Sequence, residues 1–155
     1  MTNETNDKCS DILVHIVAQA DRVEFLPKHL GCLAAGTEHF TFKAMREMVS
    51  AYEGGYWEYY ELSNGGYFIA PSSAGSDHSY TPVKLIVESI GYSGLVSYQA
   101  AGIIATAFGL NRMIEACVGE HSHHEDYALL GDQIRKLYDY VPLHPEHQQI
   151  YAALE

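Results

Sequence analysis

An Asn-Gly dipeptide between two runs of aromatic residues is the sequence feature that most constrains the fold. Asn64-Gly65 lies in the middle of the segment from Tyr56 to Pro71. Asn and Gly readily take the positive φ angles that a two-residue type I′ turn requires. Aromatic residues on both sides favour extended strands. The segment therefore predicts an antiparallel β-hairpin.

A two-residue loop also predicts which hairpin residues oppose each other. Three cross-strand pairs follow from it: Leu62 with Tyr67, Tyr60 with Ile69, and Glu61 with Phe68. Because strand side chains alternate between faces, the first two pairs share one face and the third lies on the other. The face with Leu62 and Tyr60 is the more apolar, so we expect it to face the core.

The remaining elements follow from apolar spacing and from helix-ending residues. Two strands are predicted, at Ile12 to Ala18 and within Val83 to Ile90, together with a helical turn from Asp21 that breaks at Pro27. Four helices complete the expectation: one capped by Thr37 and ended by Gly54-Gly55, one from Ser97 to about Val118, one from about Tyr127 to Pro142, and a short one from Pro145.

These elements predict an α+β fold with a small antiparallel sheet packed with several α-helices. We expect one domain over residues 11–155, preceded by a disordered tail at residues 1–10, which are polar and acidic. The longest apolar run, Ala100 to Leu110, is too short to cross a bilayer. No secretory leader is indicated, because the polar and acidic N-terminus has no basic patch leading into an apolar stretch. No disulfide framework is indicated, because the three cysteines are odd in number and widely spaced. A cytoplasmic protein is expected.

The charge balance argues against a nucleic-acid-binding protein. The formal net charge of -11 would repel phosphates, which DNA-binding proteins neutralise with Lys and Arg. The same charge would attract a protein whose own surface holds DNA.

No set of residues matches a known catalytic or cofactor-binding motif. The cluster of His121, His123 and His124 has no zinc-ligand spacing. Ser93 lies in Gly-Tyr-Ser-Gly, in which the second glycine comes one position too early for a nucleophile elbow. We therefore expect no enzymatic activity, no metal and no cofactor.

Acidic and aromatic side chains form the candidate partner-contact surface. No Lys or Arg occurs from Glu47 to Val83, and a second acidic group lies near the C-terminus. Tyr and Trp are enriched at interface hot spots. Ten residues make up the predicted surface: Glu53, Trp57, Glu58, Tyr59, Glu61, Glu125, Asp126, Asp132, Asp139 and Glu146.

The sequence resembles the ArdB/KlcA antirestriction family in four stretches. They are Phe25 to Gly31, Tyr52 to Pro71, Ser97 to Ile103, and His144 to Glu146 with Ile150, Ala153 and Leu154. The chain departs from the family pattern at Gln99, where an acidic residue is expected. The resemblance implies a protein of plasmids and other mobile genetic elements that evades host defence. It would relieve cleavage by type I restriction enzymes and spare their methylation, by binding the enzyme or an associated host factor.

Two alternative functions remain open at this point. The acidic residues are also typical of a DNA mimic that occupies the DNA-binding groove of an enzyme. The histidine cluster is also compatible with a small metal-dependent hydrolase. The sequence leaves the oligomeric state undetermined.

Overall fold

The computed structural model of the protein describes residues 11–72, 82–117 and 124–155. The described strands are β1 (Val14–Ile16), β2 (Trp57–Leu62), β3 (Tyr67–Pro71), β4 (Val83–Val87) and β5 (Tyr92–Val96). The described helices are α1 (Arg22–Leu30), α2 (Ala34–Met48), α3 (Tyr98–Cys117), α4 (His124–Tyr140) and α5 (His147–Leu154). The predicted tail at residues 1–10 lies outside these ranges.

The strands form two antiparallel sheets, one with the order β1-β2-β3 and one made of β4 and β5. Helices pack around both sheets to form a single domain, which confirms the predicted α+β class. None of the helices in the described ranges has the length and apolar character of a membrane span.

The predicted hairpin register is wrong by one residue. Tyr60 pairs with Phe68, and Glu61 pairs with Tyr67. The loop is longer than expected, because the Leu62 amide donates to the Gly66 carbonyl at 2.9 Å. The turn is closed by a hydrogen bond from the Gly65 amide to the Leu62 carbonyl, also 2.9 Å, and Gly65 has φ of 93°. This arrangement fits a three-residue loop with a glycine in the left-handed region.

A tertiary contact favours this longer loop. The Asn64 side chain accepts a hydrogen bond from the Gly66 amide and donates one to the Lys136 carbonyl in α4, both at 3.0 Å. Strand β3 is buried on both faces, since residues 67–70 are all buried, whereas residues 58–61 of β2 are half-buried. The expectation of a single core face is therefore also wrong.

Two helix boundaries differ from prediction. Thr37 lies inside α2, where its hydroxyl donates to the Leu33 carbonyl at 2.8 Å, so it is not the N-cap. The helix ends at Met48, before the glycine pair.

The helix break predicted at Pro27 is wrong, because α1 continues through this residue. The carbonyl that its missing amide would bond belongs to Val23, which is 84% exposed and open to water.

The N-cap predicted at Ser97 is confirmed. The Ala100 amide donates to the Ser97 hydroxyl at 3.1 Å, and α3 runs from the next residue to Cys117. Strands β1 and β4 lie within the predicted segments, and α4 and α5 are present as predicted, although α5 begins at His147 and not at Pro145. Strand β5 was not predicted.

Small residues let α3 pack closely against β3. A side chain at Gly102 would place its Cβ 2.5 Å from the Ala70 Cα and still closer to the Ile69 carbonyl oxygen. One turn later, the buried Thr106 hydroxyl accepts from the Ile69 amide at 3.1 Å and donates to the Ile69 carbonyl at 3.3 Å. Thr106 thus takes the place of a neighbouring strand at the outer edge of β3.

Candidate functional site

A groove of about 600 Å³ lies between α1, α2 and the start of β2. We call it the α1–α2 groove. Its lining includes Arg22, Val23, Glu38, Phe42, Tyr56 and Tyr59. Val23 and Tyr56 are 84% and 79% exposed, although apolar side chains of this size are usually buried. The groove therefore presents apolar and aromatic surface to solvent.

The chain enters β2 through two glycines that position the aromatic residues. Gly54 and Gly55 have φ of 97° and 119°, in the region that L side chains rarely adopt. The next two side chains then have opposite environments. Tyr56 projects outward, whereas Trp57 is only 6% exposed. Its indole donates to the Tyr52 hydroxyl at 2.7 Å, so Trp57 belongs to the core more than to a contact surface.

Arg22 joins α1 to the sheet at the base of the groove. Its guanidinium donates to the Trp57 carbonyl at 3.2 Å and to the Glu58 carboxylate at 2.5 Å, while its Nε donates to the Val17 carbonyl at 3.4 Å. Bonds from a guanidinium to a carboxylate are stronger than those between neutral groups. Glu58, predicted as a contact residue, is thus paired with a cation of its own chain.

Tyr59 and Glu38 form the polar part of the groove. The Tyr59 hydroxyl donates to Glu38 Oε2 at 2.5 Å. Burial and then this hydrogen bond raise the pKa of Tyr59 well above its usual range, so the hydroxyl stays protonated. Glu38 Oε1 has no hydrogen bond to the described residues, and Glu38 forms no ion pair among them.

Glu61 lies further along β2, beside a buried histidine. Its Oε2 is 3.5 Å from His29 Nε2 and 4.0 Å from Lys28 Nζ. The His29 ring lies between Phe25 and Tyr67, with ring centroids 4.6 and 5.6 Å away. Burial lowers the pKa of His29, and the nearby Glu61 carboxylate partly opposes this effect. The Lys28 ammonium, 4.0 Å from Glu61 Oε2, partly offsets the charge of that carboxylate.

The predicted acidic residues of α4 have structural roles. Asp132 pairs with Arg135 and with Lys136, the latter at 2.9 Å, and these bonds lower the pKa of Asp132. Asp139 lies 3.4 Å from Arg135. The remaining two acids, Glu125 and Asp126, are in the first turn of α4. Carboxylates at this end stabilise a helix by interacting with the positive end of its dipole.

Glu146 completes the cap of α3. Its two carboxylate oxygens accept from the Ser97 amide at 2.9 Å and the Ser97 hydroxyl at 2.5 Å. The Glu146 amide donates to His144 Nδ1 at 2.9 Å, so the ring proton lies on Nε2, which donates to Gln99 Oε1 at 2.9 Å. Burial lowers the pKa of His144 and favours this neutral ring. The unexpected residue Gln99 is therefore a hydrogen-bond partner of His144.

The structure thus brings only part of the predicted surface together. Trp57 and Tyr59 line the α1–α2 groove, and Glu53 is exposed in the loop that leads to it. Sequence reasoning missed the groove residues of α1 and α2, since their proximity to β2 has no signal in spacing. Val23 and Leu26 are three residues apart in a predicted helical turn, so the sequence could have indicated that they share one face of it.

The histidine cluster of the alternative metal-dependent reading lies outside the described residues. His121, His123 and the side chain of His124 lie outside the described residues. Within the described ranges, no three His, Cys, Asp or Glu side chains are grouped to hold a metal ion.

Comparison with known proteins identifies the family. The profile of the antirestriction protein family matches residues 50–155. An antirestriction protein KlcA of Escherichia coli is 34% identical over 149 residues, which cover 94% of this chain and 95% of that protein. A second Escherichia coli KlcA is 32% identical, covering 97% and 99% of the two chains.

A solved structure has the same fold. It superposes with a TM-score of 0.76 and 33% sequence identity, covering 93% of this chain and 95% of that one. It comes from work on the KlcA and ArdB proteins that describes a novel fold and antirestriction activity against type I DNA restriction systems in vivo but not in vitro. The chain belongs to the antirestriction protein family.

Proposed function

We propose that this protein relieves DNA cleavage by type I restriction enzymes by binding a protein, without catalysis and without blocking methylation. Family membership and the activity described for KlcA and ArdB support the biological role. The partner is the restriction enzyme itself or a host factor that works with it in the cytoplasm.

The contrast between activity in vivo and in vitro supports a protein partner over DNA mimicry. A mimic that occupied the DNA-binding groove of the enzyme would also inhibit the purified enzyme. KlcA and ArdB act in vivo but not in vitro, which is the pattern expected when a further cellular component is required. The acidic groups of this chain also differ from a uniform phosphate-like array, because Glu58 and Asp132 are paired with cations.

We propose the α1–α2 groove, together with the exposed Glu53 in the loop before β2, as the main contact surface. The observation that carries this choice is the exposure of Val23 and Tyr56, which both line the groove. Exposed aromatic side chains next to a concavity are typical of interface hot spots. The predicted acids of α4 and Glu146 are the weaker candidates, since ion pairs and helix ends already engage them.

The direct test is phage plating on cells with an active type I system, with and without the protein. The wild-type protein should raise the plating efficiency of unmodified phage, and the methylation of recovered phage should be normal. Equal plating at good expression would reject the proposed function. Loss of methylation together with cleavage would favour the DNA mimic.

A matched pair of variants tests the surface. Tyr56→Ala removes an exposed ring from the groove and should reduce protection at least about tenfold, because truncation of a hot spot typically costs 2 kcal/mol or more, roughly thirtyfold in affinity. Leu95→Ala is the control, as Leu95 is 64% exposed on β5, which does not line the groove. Thermal unfolding should be unchanged in both. Equal protection by the two variants would exclude the groove.

A further inference from the structure

We propose that the α1–α2 groove receives a lysine or arginine side chain of the partner, placed between the Tyr56 ring and the Glu38 carboxylate. This inference rests on the proposed function, because it names the chemistry of the segment that the contact surface recognises.

The first argument is the charge that the groove leaves unbalanced. Arg22 is the one cationic side chain among the described lining residues, and its charge is taken up by Glu58. Glu38 is the lining carboxylate, and it forms no ion pair within the described ranges. One of its oxygens accepts from Tyr59, which leaves the other available to an incoming donor. The groove thus favours a cation and disfavours a carboxylate or phosphate.

The second argument is the aromatic wall. Tyr56 and Phe42 line the groove together with Glu38, whereas the Tyr59 ring already faces the Arg22 guanidinium, 6.0 Å from the ring centroid. A ring face attracts an ammonium or guanidinium group, and the attraction grows as water is excluded. The alkyl stem of Lys or Arg can lie along apolar surface while its head reaches a carboxylate.

The third argument is the apolar ridge along α1. Val23, Leu26 and Pro27 of α1 line the groove and offer no hydrogen-bonding side chain. The volume of about 600 Å³ is larger than one side chain needs and leaves room for flanking residues. The occupant that fits these observations is an exposed segment with one basic residue between apolar ones.

The test is a titration of the isotope-labelled full chain with short capped peptides, followed by amide chemical shifts. Three peptides share a sequence of alanines and leucines and differ only at the centre, which is Lys, Gln or Glu. We expect the Lys peptide to shift the amides of Val23, Glu38 and Tyr56 and to bind about fivefold more tightly than the Gln peptide. The Glu peptide should bind more weakly than either. Equal affinity for the Lys and Gln peptides, or shifts confined to other residues, would overturn the proposal.

Variants assign the preference to the groove. Glu38→Gln keeps an acceptor for Tyr59 and should reduce the Lys preference to less than about twofold. Glu115→Gln is the matched control, since Glu115 is exposed on α3 and does not line the groove; it should retain the full preference. If Glu38→Gln lowers the melting temperature, Tyr56→Leu serves instead, because it changes an exposed ring to an aliphatic group. A Lys preference that survives both groove variants would overturn the proposal.

The plating assay separates this proposal from the proposed function. Peptide preference in a protein that gives no protection would reject the antirestriction role and retain the cation site. Protection without any Lys preference would reject the cation site and retain the antirestriction role.

Discussion

Replacement of Gly102 by Ala tests whether close packing of α3 on β3 limits the stability of this fold. The added Cβ would lie 2.5 Å from the Ala70 Cα and closer still to the Ala70 Cβ and the Ile69 carbonyl oxygen. Carbon atoms in good contact are about 3.5–4.0 Å apart, so α3 and β3 must separate by roughly 1 Å. Two of the three obstructing atoms belong to backbone and cannot rotate away.

The expected change in the free energy of unfolding is the balance of one stabilising and two destabilising effects. Alanine has a higher helix propensity than glycine by about 1 kcal/mol. Overpacking a core costs about 1–3 kcal/mol and sometimes more. Separation also weakens the Thr106 hydrogen bonds to Ile69, each worth about 1 kcal/mol. We expect a net loss of about 2–3 kcal/mol in the free energy of unfolding and a fall in Tm of roughly 5–10 °C.

Gly131 in α4 provides the control, because a Cβ there would meet nothing within 4 Å. Gly131→Ala should raise Tm by about 2–4 °C through helix propensity alone. In calorimetry and urea unfolding, Gly102→Ala should lower the stability and Gly131→Ala should raise it. A rise in stability for Gly102→Ala equal to that for Gly131→Ala would refute the packing argument.

Two further predictions concern buried polar groups. Thr106→Val should lower the free energy of unfolding by about 2 kcal/mol in urea titrations, because the buried Ile69 amide and carbonyl lose their partner. Thr106→Ser keeps the hydroxyl and should lower it by about 1 kcal/mol or less. A larger loss for Thr106→Ser than for Thr106→Val would contradict the hydrogen-bonding role of this hydroxyl. Burial lowers the pKa of His29 and His144 below 6.5, so the unfolded chain binds more protons in this range, and stability should fall as pH drops below 6.5. Urea titrations at pH 7.5 and 5.0 should show a smaller pH dependence for His144→Gln than for the wild type, and identical dependence would exclude His144 as a contributor.

The sequence was sufficient to locate the hairpin but not to fix its register. Aromatic content and Asn64-Gly65 identify the turn because both are local signals. The loop length depends on the bond from Asn64 to the Lys136 carbonyl, which lies in a helix far along the chain. A one-residue change in loop length then shifts every cross-strand pair.

Thr37 and Ser97 were both predicted as N-caps, and only Ser97 is confirmed. Ser97 follows a glycine-containing segment and precedes a long apolar run, and it does cap α3. Thr37 has the same kind of local context, but α2 starts three residues earlier, at Ala34. The Thr37 hydroxyl therefore donates to the Leu33 carbonyl and does not cap the helix. The difference arises because the segment before Thr37 packs through Leu33 and Ala34, which are both buried.

The candidate site was predicted in composition but not in shape. Trp57 and Tyr59 were recognised from their aromatic character, yet the groove that they line also needs α1 and α2. Glu146 was assigned to a charged surface, whereas it bonds both the amide and the hydroxyl of Ser97. Sequence alone does not show how many oxygens of a carboxylate have an internal partner. One oxygen of Glu38 is hydrogen-bonded within the described residues, whereas both are in Glu58 and Glu146.

The link between Ser97 and Glu146 affects the order in which the chain folds. The two residues are 49 positions apart, so the first turn of α3 lacks this partner until the later segment has been synthesised. The hairpin and the first two helices emerge earlier and must wait for α3 before the outer edge of β3 is closed by Thr106. The packing of α3 against β3 is therefore completed late in biosynthesis. Slower translation between the codons for Ser97 and Glu146 would prolong the period in which the β3 edge can pair with a wrong strand.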